Sequence, residues 1–212
     1  MGLERVSNFG NVVSTVETGA NSSIGGLEAL LKDADSRGSA PQERWNPPYC
    51  GDIGLAILAD GTWQYQGSPI QRAELVKLFA RVLRREADGR YYLVTPAEKV
   101  DVTVADAPFL AVELEVKGAG SGQSLFFRTN VDDIVGCGPA YGLRFSRQDP
   151  SGGLKPYVHV RGRLEALVTR ALYYDLIDLA ELEPLDGSRQ LGLWSAGQFF
   201  PLLAGEPSDR GL

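Results

Sequence analysis

Two stretches of the chain carry the same pattern of apolar residues, and this pattern limits the folds open to it. In both stretches the apolar side chains recur at the spacing of one helix face. They are Leu75, Leu78, Phe79, Val82 and Leu83 in the first stretch, and Leu164, Leu167, Val168, Ala171 and Leu172 in the second. Strand-like sequence flanks both. We therefore expect an α+β fold of two related modules with mostly antiparallel sheets and one main helix each. The alternative to a duplication is that two unrelated amphipathic helices have the same spacing by chance.

The first module is predicted to run hairpin, helix, strand. Asp60 and Gly61 form a turn signal, because a two-residue hairpin turn needs positive φ angles. Ser68 and Gln71 have the spacing of a capping box, with a proline between them at the first helical position. This arrangement predicts a helix that runs from there to about Arg85.

The rest of the chain predicts a β-meander followed by strand, helix and hairpin. In 110–117 apolar residues alternate with polar ones, which predicts a half-buried strand with its core face formed by Leu110, Val112, Leu114 and Val116. A second helix is predicted from Leu164 to about Glu181. A closing hairpin is predicted to turn at 196–197.

These elements divide the chain into five parts. We predict a disordered tail at 1–21, a short helix and linker at 22–48, the first module at 49–98, the second module at 99–204, and a second tail at 205–212.

Charge and cysteine usage narrow the class of protein. The formal net charge is −6 and neither half is basic, which argues against generic binding to nucleic acid. Cys50 and Cys137 stand far apart, as in a protein of a reducing compartment. The chain has no apolar run of signal-peptide type or of membrane-spanning length. We therefore expect a cytoplasmic protein.

Short blocks spread over 45–201 resemble one known family. They are CGDI at 50–53, DGTW at 60–63, GSPI at 67–70, YLVTP at 92–96, EKV at 98–100, DAPF at 106–109, FRTN at 127–130, YV at 157–158, RG at 161–162, WS at 194–195 and FFP at 199–201. In combination they resemble an uncharacterised bacterial family, domain of unknown function 1285. The run that follows Asp52 is less polar than the family pattern.

The resemblance implies a fold and a kind of site but no activity. It implies a duplicated α+β core whose second half is similar to a pleckstrin-homology β-barrel or sandwich. It also implies a small-ligand site between the halves, for a nucleotide-like molecule, and a role in signalling.

Polar residues at strand ends near the module boundary are the candidate binding residues. Strand ends that meet at such a boundary are where ligand pockets form. We predict that a small anionic or nucleotide-like ligand meets Lys99, Arg128 and Arg161. We expect its orientation to be set by Thr95, Glu98, Thr129 and Asn130. The competing interpretation is a network of hydrogen bonds that only fixes the two halves together.

Residues that suggest catalysis or metal binding have structural explanations. His159 is the only histidine, and no local signature pairs it with Cys50 or Cys137. The glycines of 118–122 are predicted to join two strands, whereas a phosphate loop leads into a helix. Asp132 and Asp133 lack the ligand spacing of a cation site. We predict no catalytic residue, no metal and no cofactor.

Three functions remain open from the sequence. The leading hypothesis is a non-enzymatic ligand-binding or signalling module. The first alternative is a protein–protein interaction module that uses an aromatic edge of Trp194, Phe199 and Phe200. The second is a hydrolase of unrecognised type, which needs Cys50 or His159 beside polar groups in a cleft.

Overall fold

The computed structural model describes residues 26, 45–147, 153–185 and 187–202. The predicted tails at 1–21 and 205–212 lie outside these residues, as does most of the predicted helix and linker at 22–48.

The first sheet has six strands and one helix packed against it. The strands are β1 (Leu55–Ile57), β2 (Trp63–Tyr65), β3 (Ser68–Pro69), β4 (Leu83–Arg85), β5 (Tyr91–Val94) and β6 (Lys99–Val104), and helix α1 (Ala73–Val82) lies between β3 and β4 in the chain. The strand order is β3-β2-β1-β6-β5-β4. Neighbouring strands are antiparallel except β1 and β6, which are parallel.

The second sheet also has six strands. They are β7 (Phe109–Lys117), β8 (Ser124–Thr129), β9 (Ile134–Gly136), β10 (Leu143–Arg147), β11 (Leu154–Arg161) and β12 (Leu164–Val168), in the order β10-β11-β12-β7-β8-β9. Helix α2 (Arg170–Asp178) follows, and then a three-stranded antiparallel sheet of β13 (Glu181–Leu185), β14 (Ser188–Ser195) and β15 (Gln198–Pro201).

The two large sheets repeat one topology. Each consists of two three-stranded antiparallel meanders. The meanders are joined by one parallel pair, which is formed by β1 and β6 in the first sheet and by β7 and β12 in the second. The position of the helix differs: α1 connects the two meanders of the first sheet, whereas α2 comes after the second sheet is complete. The fold is mostly β, and a two-module arrangement fits it. The pleckstrin-homology-like second half stays a prediction.

The first helix is shorter than predicted at both ends. It starts at Ala73 because Ser68 and the following proline pair with β2 as strand β3, so Ser68 is not a helix cap. Arg72 precedes the helix with an extended backbone and makes no side-chain capping hydrogen bond. The helix ends at Val82 because the next residues, through Arg85, pair with β5.

The second helix is shorter than predicted, because the first five residues of the predicted span form strand β12. Residues of β12 alternate between buried and half-buried, and this strand lies between β11 and β7 in the sheet. The helix begins only at Arg170, and Leu176 is its buried residue. The two similar stretches therefore differ in structure: 75–83 is mostly helix α1, whereas 164–172 is strand β12 followed by the start of helix α2. The repeat exists in the order of strands instead.

A β-bulge changes which residues of β7 face the core. Phe109 and Ala111 are fully buried, whereas the sequence pattern placed Leu110 and every second residue after it on the core face. The register against β8 shifts between Ala111 and Glu113, and a bulge inverts the alternation beyond it. Leu114 then packs against the core.

The predicted boundary between 98 and 99 falls at the start of β6. That strand pairs with β1 and β5 of the first sheet. The domain limits stay a prediction.

Candidate functional site

A groove lies between helix α1 of the first sheet and the turn that joins β8 to β9 in the second. We call it the junction groove. It has a volume of about 310 Å³ and is lined by Glu74, Lys77, Ala80, Arg81, Val131, Asp132 and Asp133. Helix α1 presents one side to the groove while Leu75 and Phe79 hold its other side in the core.

Thr129 builds the turn on the far side of the groove. Its hydroxyl oxygen accepts hydrogen bonds from the backbone N–H groups of Val131 at 3.3 Å and Asp133 at 3.1 Å. The N–H of Asp132 donates to the Thr129 carbonyl at 3.0 Å, and Asp132 has a φ of +67°. Thr129 itself is fully buried. The two aspartates therefore stand on a turn whose backbone is closely held.

Ion pairs cross the groove between the modules. Lys77 Nζ lies 2.9 Å from Asp132 Oδ2 and 3.3 Å from Glu74 Oε1. The second oxygen of Asp132 accepts a hydrogen bond from Arg128 Nη1 at 2.6 Å, and Arg128 also pairs with Glu113. The hydrogen bonds from Lys77 and Arg128 hold the pKa of Asp132 below its usual value. The hydrogen bond to Asp132 and then that to Glu74 raise the pKa of Lys77.

Arg161 ties the end of helix α1 to the second module. Its Nη1 donates to Asp133 Oδ2 at 2.5 Å, and its Nη2 donates to the backbone carbonyl of Ala80 at 2.5 Å. Its guanidinium lies 5.2 Å from the centre of the Phe109 ring. The last carbonyls of a helix carry partial negative charge, so a guanidinium there is favourable.

Asn130, on the β8–β9 turn, contacts the β1–β2 turn of the first module. Its side-chain oxygen accepts the N–H of Leu110 at 3.0 Å. Its Nδ2 lies 2.8 Å from the position that a Cβ on Gly61 would take, and Gly61 has a φ of +80°. The β1–β2 turn and the β8–β9 turn therefore meet where only glycine fits.

The predicted site residues separate into two groups. Four of them surround the junction between the modules: Arg128, Thr129, Asn130 and Arg161. The other three, Thr95, Glu98 and Lys99, lie on the hairpin of β5 and β6.

The second group has its own partners. The Thr95 hydroxyl accepts the backbone N–H groups of Ala97 at 3.2 Å and Glu98 at 3.0 Å, which closes the hairpin. Lys99 Nζ lies 3.3 Å from Glu86 and 4.8 Å from the centre of the Tyr92 ring. These contacts account for the Thr95 hydroxyl and the Lys99 ammonium without a ligand.

The face of the first sheet that carries Lys99 holds further charged and aromatic groups. Arg90 Nη2 donates to Asp101 at 2.7 Å and its guanidinium lies 5.5 Å from the centre of the Tyr92 ring. The Tyr92 hydroxyl donates to Asp88, which raises the pKa of Tyr92 to about 12. Acids and bases on this face are thus matched to one another.

The residues considered for catalysis are not gathered in one place. Cys137 is buried, and burial raises the pKa of its thiol to about 12. The Cys50 thiol donates to the Pro48 carbonyl at 3.6 Å. His159 Nε2 lies 2.6 Å from the Gly162 carbonyl, and its ring stacks on that of Tyr141.

Two further observations apply to the described ranges only. Within them, no three or more His, Cys, Asp and Glu side chains are grouped to hold a metal ion. Within the same ranges, every helix is too short or too polar to cross a membrane.

Sequence reasoning missed the contribution of helix α1 to the groove. Lys77 and Glu74 are three residues apart on the polar side of the helix, which by itself indicates only a solvent-exposed pair. Asp132 and Asp133 were weighed as metal ligands, not as partners of Lys77 and Arg161. Lys77 and Asp132 are 55 positions apart, and Arg161 and Asp133 are 28 apart, so no local signal links either pair and only the fold reveals them.

The fold and the groove define a class: a mostly β protein of two modules with a charged groove at their junction. Family models for both modules match the chain. The N-terminal domain of domain of unknown function 1285 matches residues 40–107, and the C-terminal domain matches residues 108–202. The chain therefore belongs to the DUF1285 family, and the resemblance found in the sequence is confirmed.

Two solved structures are similar to the chain. A DUF1285 family protein from Silicibacter pomeroyi DSS-3 is 49% identical, with a TM-score of 0.75, over 84% of this chain and 95% of that one. A DUF1285 family protein from Shewanella baltica OS155 is 29% identical, with a TM-score of 0.47, over 59% of this chain and 91% of that one. The comparison with curated proteins gives no match.

Proposed function

We propose that this protein is a non-enzymatic binding module that holds a small charged molecule in the junction groove. The observation that carries the proposal is the position of the groove: charged side chains from both modules meet across a space of about 310 Å³. Sites for small molecules begin at about 300 Å³ and are frequent at domain interfaces. A ligand held there contacts both modules, which suits a signalling role.

Binding is favoured over hydrolysis by the distribution of reactive groups. The Cys137 thiol has a raised pKa and is buried, so its thiolate is disfavoured. Cys50 and His159 are each engaged by a backbone carbonyl away from the groove lining. The hydrolase alternative needs one of them beside other polar groups in a cleft.

The ligand predicted from the sequence was anionic, with a nucleotide as the reference compound. In the groove such a ligand meets Lys77 and Arg81, while Arg128 and Arg161 stand behind the two aspartates. Lys99, which was predicted to contribute, lies on the β5–β6 hairpin beside Glu86.

A thermal-shift panel tests the proposal. The panel contains nucleotides, sugar phosphates, carboxylates, amines and amino acids. A ligand present at a hundred times its Kd raises the free energy of unfolding by about 2.7 kcal/mol, which a melting curve detects. We expect stabilisation of the wild type by at least one compound.

A matched pair of variants shows whether the effect comes from the groove. Lys77→Met removes the lysine that spans the groove, and Lys117→Met removes a lysine from an exposed pair with Glu115 elsewhere. We expect the shift to be lost in Lys77→Met and kept in Lys117→Met. A panel with no stabilising member, or equal shifts in both variants, contradicts the proposal.

An interaction module remains the second candidate, on a different surface from the one predicted. Phe200 is 5% exposed, and the Trp194 ring N–H donates to Glu183 at 3.0 Å, so the aromatic edge is largely engaged. Leu182 and Leu191 face each other on β13 and β14 and are 52% and 41% exposed. If this pair binds a protein, Leu182→Ser with Leu191→Ser abolishes that association and leaves the melting temperature of the free protein unchanged.

A further inference from the structure

The Lys77–Asp132 pair spans the junction groove and obstructs it. Lys77 lies on helix α1 and Asp132 on the β8–β9 turn, with 2.9 Å between Nζ and Oδ2. Both residues line the groove. A molecule that occupies the groove must therefore separate them or take their place.

The two members of the pair differ in how their charged groups are held. The Asp132 backbone is held by Thr129, and its other oxygen is bound by Arg128 at 2.6 Å. The Lys77 side chain is the less exposed of the two, 35% against 51%, but its ammonium group ends a flexible four-carbon stem. The opening movement therefore belongs to Lys77, while the carboxylate of Asp132 stays in position.

The charged side chains that line the groove determine which kind of ligand gives both Lys77 and Asp132 a partner of opposite charge. Three carboxylates and two basic side chains line the groove. A simple anion on Lys77 repels the carboxylates opposite and removes one partner from Asp132. A simple cation on Asp132 displaces Lys77 and leaves the lysine with its contact to the exposed Glu74 at 3.3 Å, so the acceptor lost at Asp132 is not replaced. A molecule with both groups replaces both halves of the pair.

We infer that the ligand is a small zwitterion of the α-amino-acid type. Its ammonium group binds Asp132, and its carboxylate binds Lys77 in the moved position. This inference rests on the proposed function, and it names the ligand class of that same groove. The ligand therefore enters as an exchange of ion pairs, with no net change in charge.

Three matched compounds test the ligand class: L-phenylalanine, hydrocinnamate, which lacks the amino group, and phenethylamine, which lacks the carboxylate. Phenylalanine is the probe, and the other common amino acids are run beside it because side-chain preference is not part of the inference. Binding is measured by thermal shift and confirmed by calorimetry. We expect a zwitterion to bind at least about tenfold more tightly than its acid or its amine, the loss of one charge-assisted contact.

Two variants test whether the ligand binds at Lys77 and Asp132. Lys77→Met and Asp132→Asn are each expected to weaken binding about tenfold or more, whereas Lys117→Met leaves it unchanged. Asp132→Asn keeps the backbone, because asparagine tolerates the positive φ of this position. Circular dichroism of each variant confirms the fold.

The outcomes separate this inference from the proposed function. Equal binding of the acid and the amino acid, with loss in Lys77→Met alone, overturns the zwitterion and leaves a ligand site in the groove. Binding of nucleotides but of no amino acid has the same meaning. Amino-acid binding that survives both Lys77→Met and Asp132→Asn overturns the assignment to this pair. If no compound of the wider panel binds, both the inference and the proposed function fail.

Discussion

Single residues at the junction each contact both modules. Gly61 in the first module faces Asn130 and Leu110 in the second, and Arg161 reaches from β11 to the Ala80 carbonyl. These contacts are short and directional, so small changes of side chain have defined consequences. They allow the role of the junction to be tested apart from the stability of either sheet.

Gly61→Ala tests the close approach of the two turns. Its Cβ meets Asn130 Nδ2 at 2.8 Å and Leu110 Cδ1 at 3.0 Å, so the Asn130 side chain must shift and disturb its hydrogen bond with the Leu110 N–H. Gly67→Ala is the control, because Gly67 has a similar φ of +78° with nothing near its Cβ position. Both lose about 1 kcal/mol to backbone strain. We expect Gly61→Ala to lose a further 1–3 kcal/mol, roughly, in denaturant unfolding. Equal losses contradict the contact.

Arg161→Lys tests the two-pronged contact of the guanidinium. A lysine ammonium is a single point charge and cannot keep the geometry with both Asp133 and the Ala80 carbonyl. We expect a loss of about 1–2 kcal/mol in the free energy of unfolding. The exposed Arg163 supplies the control, and Arg163→Lys should change stability by less than about 0.5 kcal/mol. A neutral Arg161→Lys would show that this contact does not stabilise the junction.

Whole elements are joined by a few buried polar residues. The third sheet contacts the second through Ser195, whose hydroxyl oxygen accepts the Leu125 N–H at 2.9 Å and donates to the Cys137 carbonyl at 2.7 Å. Gln123 adds a hydrogen bond from its side chain to the Trp194 carbonyl at 2.9 Å. The strand that carries Ser195 is thereby fixed to β8 and to the segment after β9.

Ser195→Ala removes the link between the second and third sheets. The variant leaves the buried N–H of Leu125 and the buried carbonyl of Cys137 without this partner, and we expect it to lose about 1–3 kcal/mol of unfolding free energy. Ser121→Ala, at an exposed position of the β7–β8 loop, is expected to be neutral. Hydrogen exchange should rise in β14 and β15 of Ser195→Ala. Unchanged exchange there would argue that other contacts hold the third sheet.

At the scale of the whole molecule, charge pairs connect the modules across an open groove. Asp132 stands between Lys77 of the first module and Arg128 of the second. These side chains are accessible to solvent, so their interaction is screened by salt. The contribution of these ion pairs to stability is therefore sensitive to pH and ionic strength.

The pH dependence of stability should reveal the Asp132 pairs. The pKa of Asp132 is held below its ordinary 3.8 in the folded protein by Lys77 first and Arg128 second. A carboxyl with a lowered folded pKa stabilises the protein above its unfolded pKa, and the contribution disappears as the pH falls through the folded value. We expect the stability difference between wild type and Asp132→Asn to be constant near neutral pH and to shrink below about pH 4.

The same comparison in salt is the control. High salt should reduce the difference at neutral pH, because the charges are exposed. A difference that persists unchanged at pH 2–3 would show that Asp132 acts through its backbone turn and not through its charge.

Local signals were sufficient for the turns and for most strands. Asp60 and Gly61 lie in the β1–β2 connection, which is longer than the predicted two-residue turn and has a positive φ at Gly61. The predicted closing hairpin turns at Ala196 and Gly197, both with positive φ. The period-two pattern of 110–117 marked most of β7. The pattern of 164–168 fits a helix and a strand equally, because Leu164, Leu167 and Val168 satisfy a helical spacing while Leu164, Ala166 and Val168 alternate.

By itself, then, the sequence determined the hairpin turns, the apolar face of helix α1 and the family, since each depends on neighbouring residues or on short blocks. Only the tertiary structure decided that 164–168 is a strand, because its place between β11 and β7 supplies the hydrogen bonds. It also decided that Arg128, Thr129, Asn130 and Arg161 meet helix α1 while Thr95, Glu98 and Lys99 do not share their contacts. Pairs of charges distant in the chain leave no local pattern, and the position of helix α1 beside the β8–β9 turn is what brings Lys77 and Asp132 together.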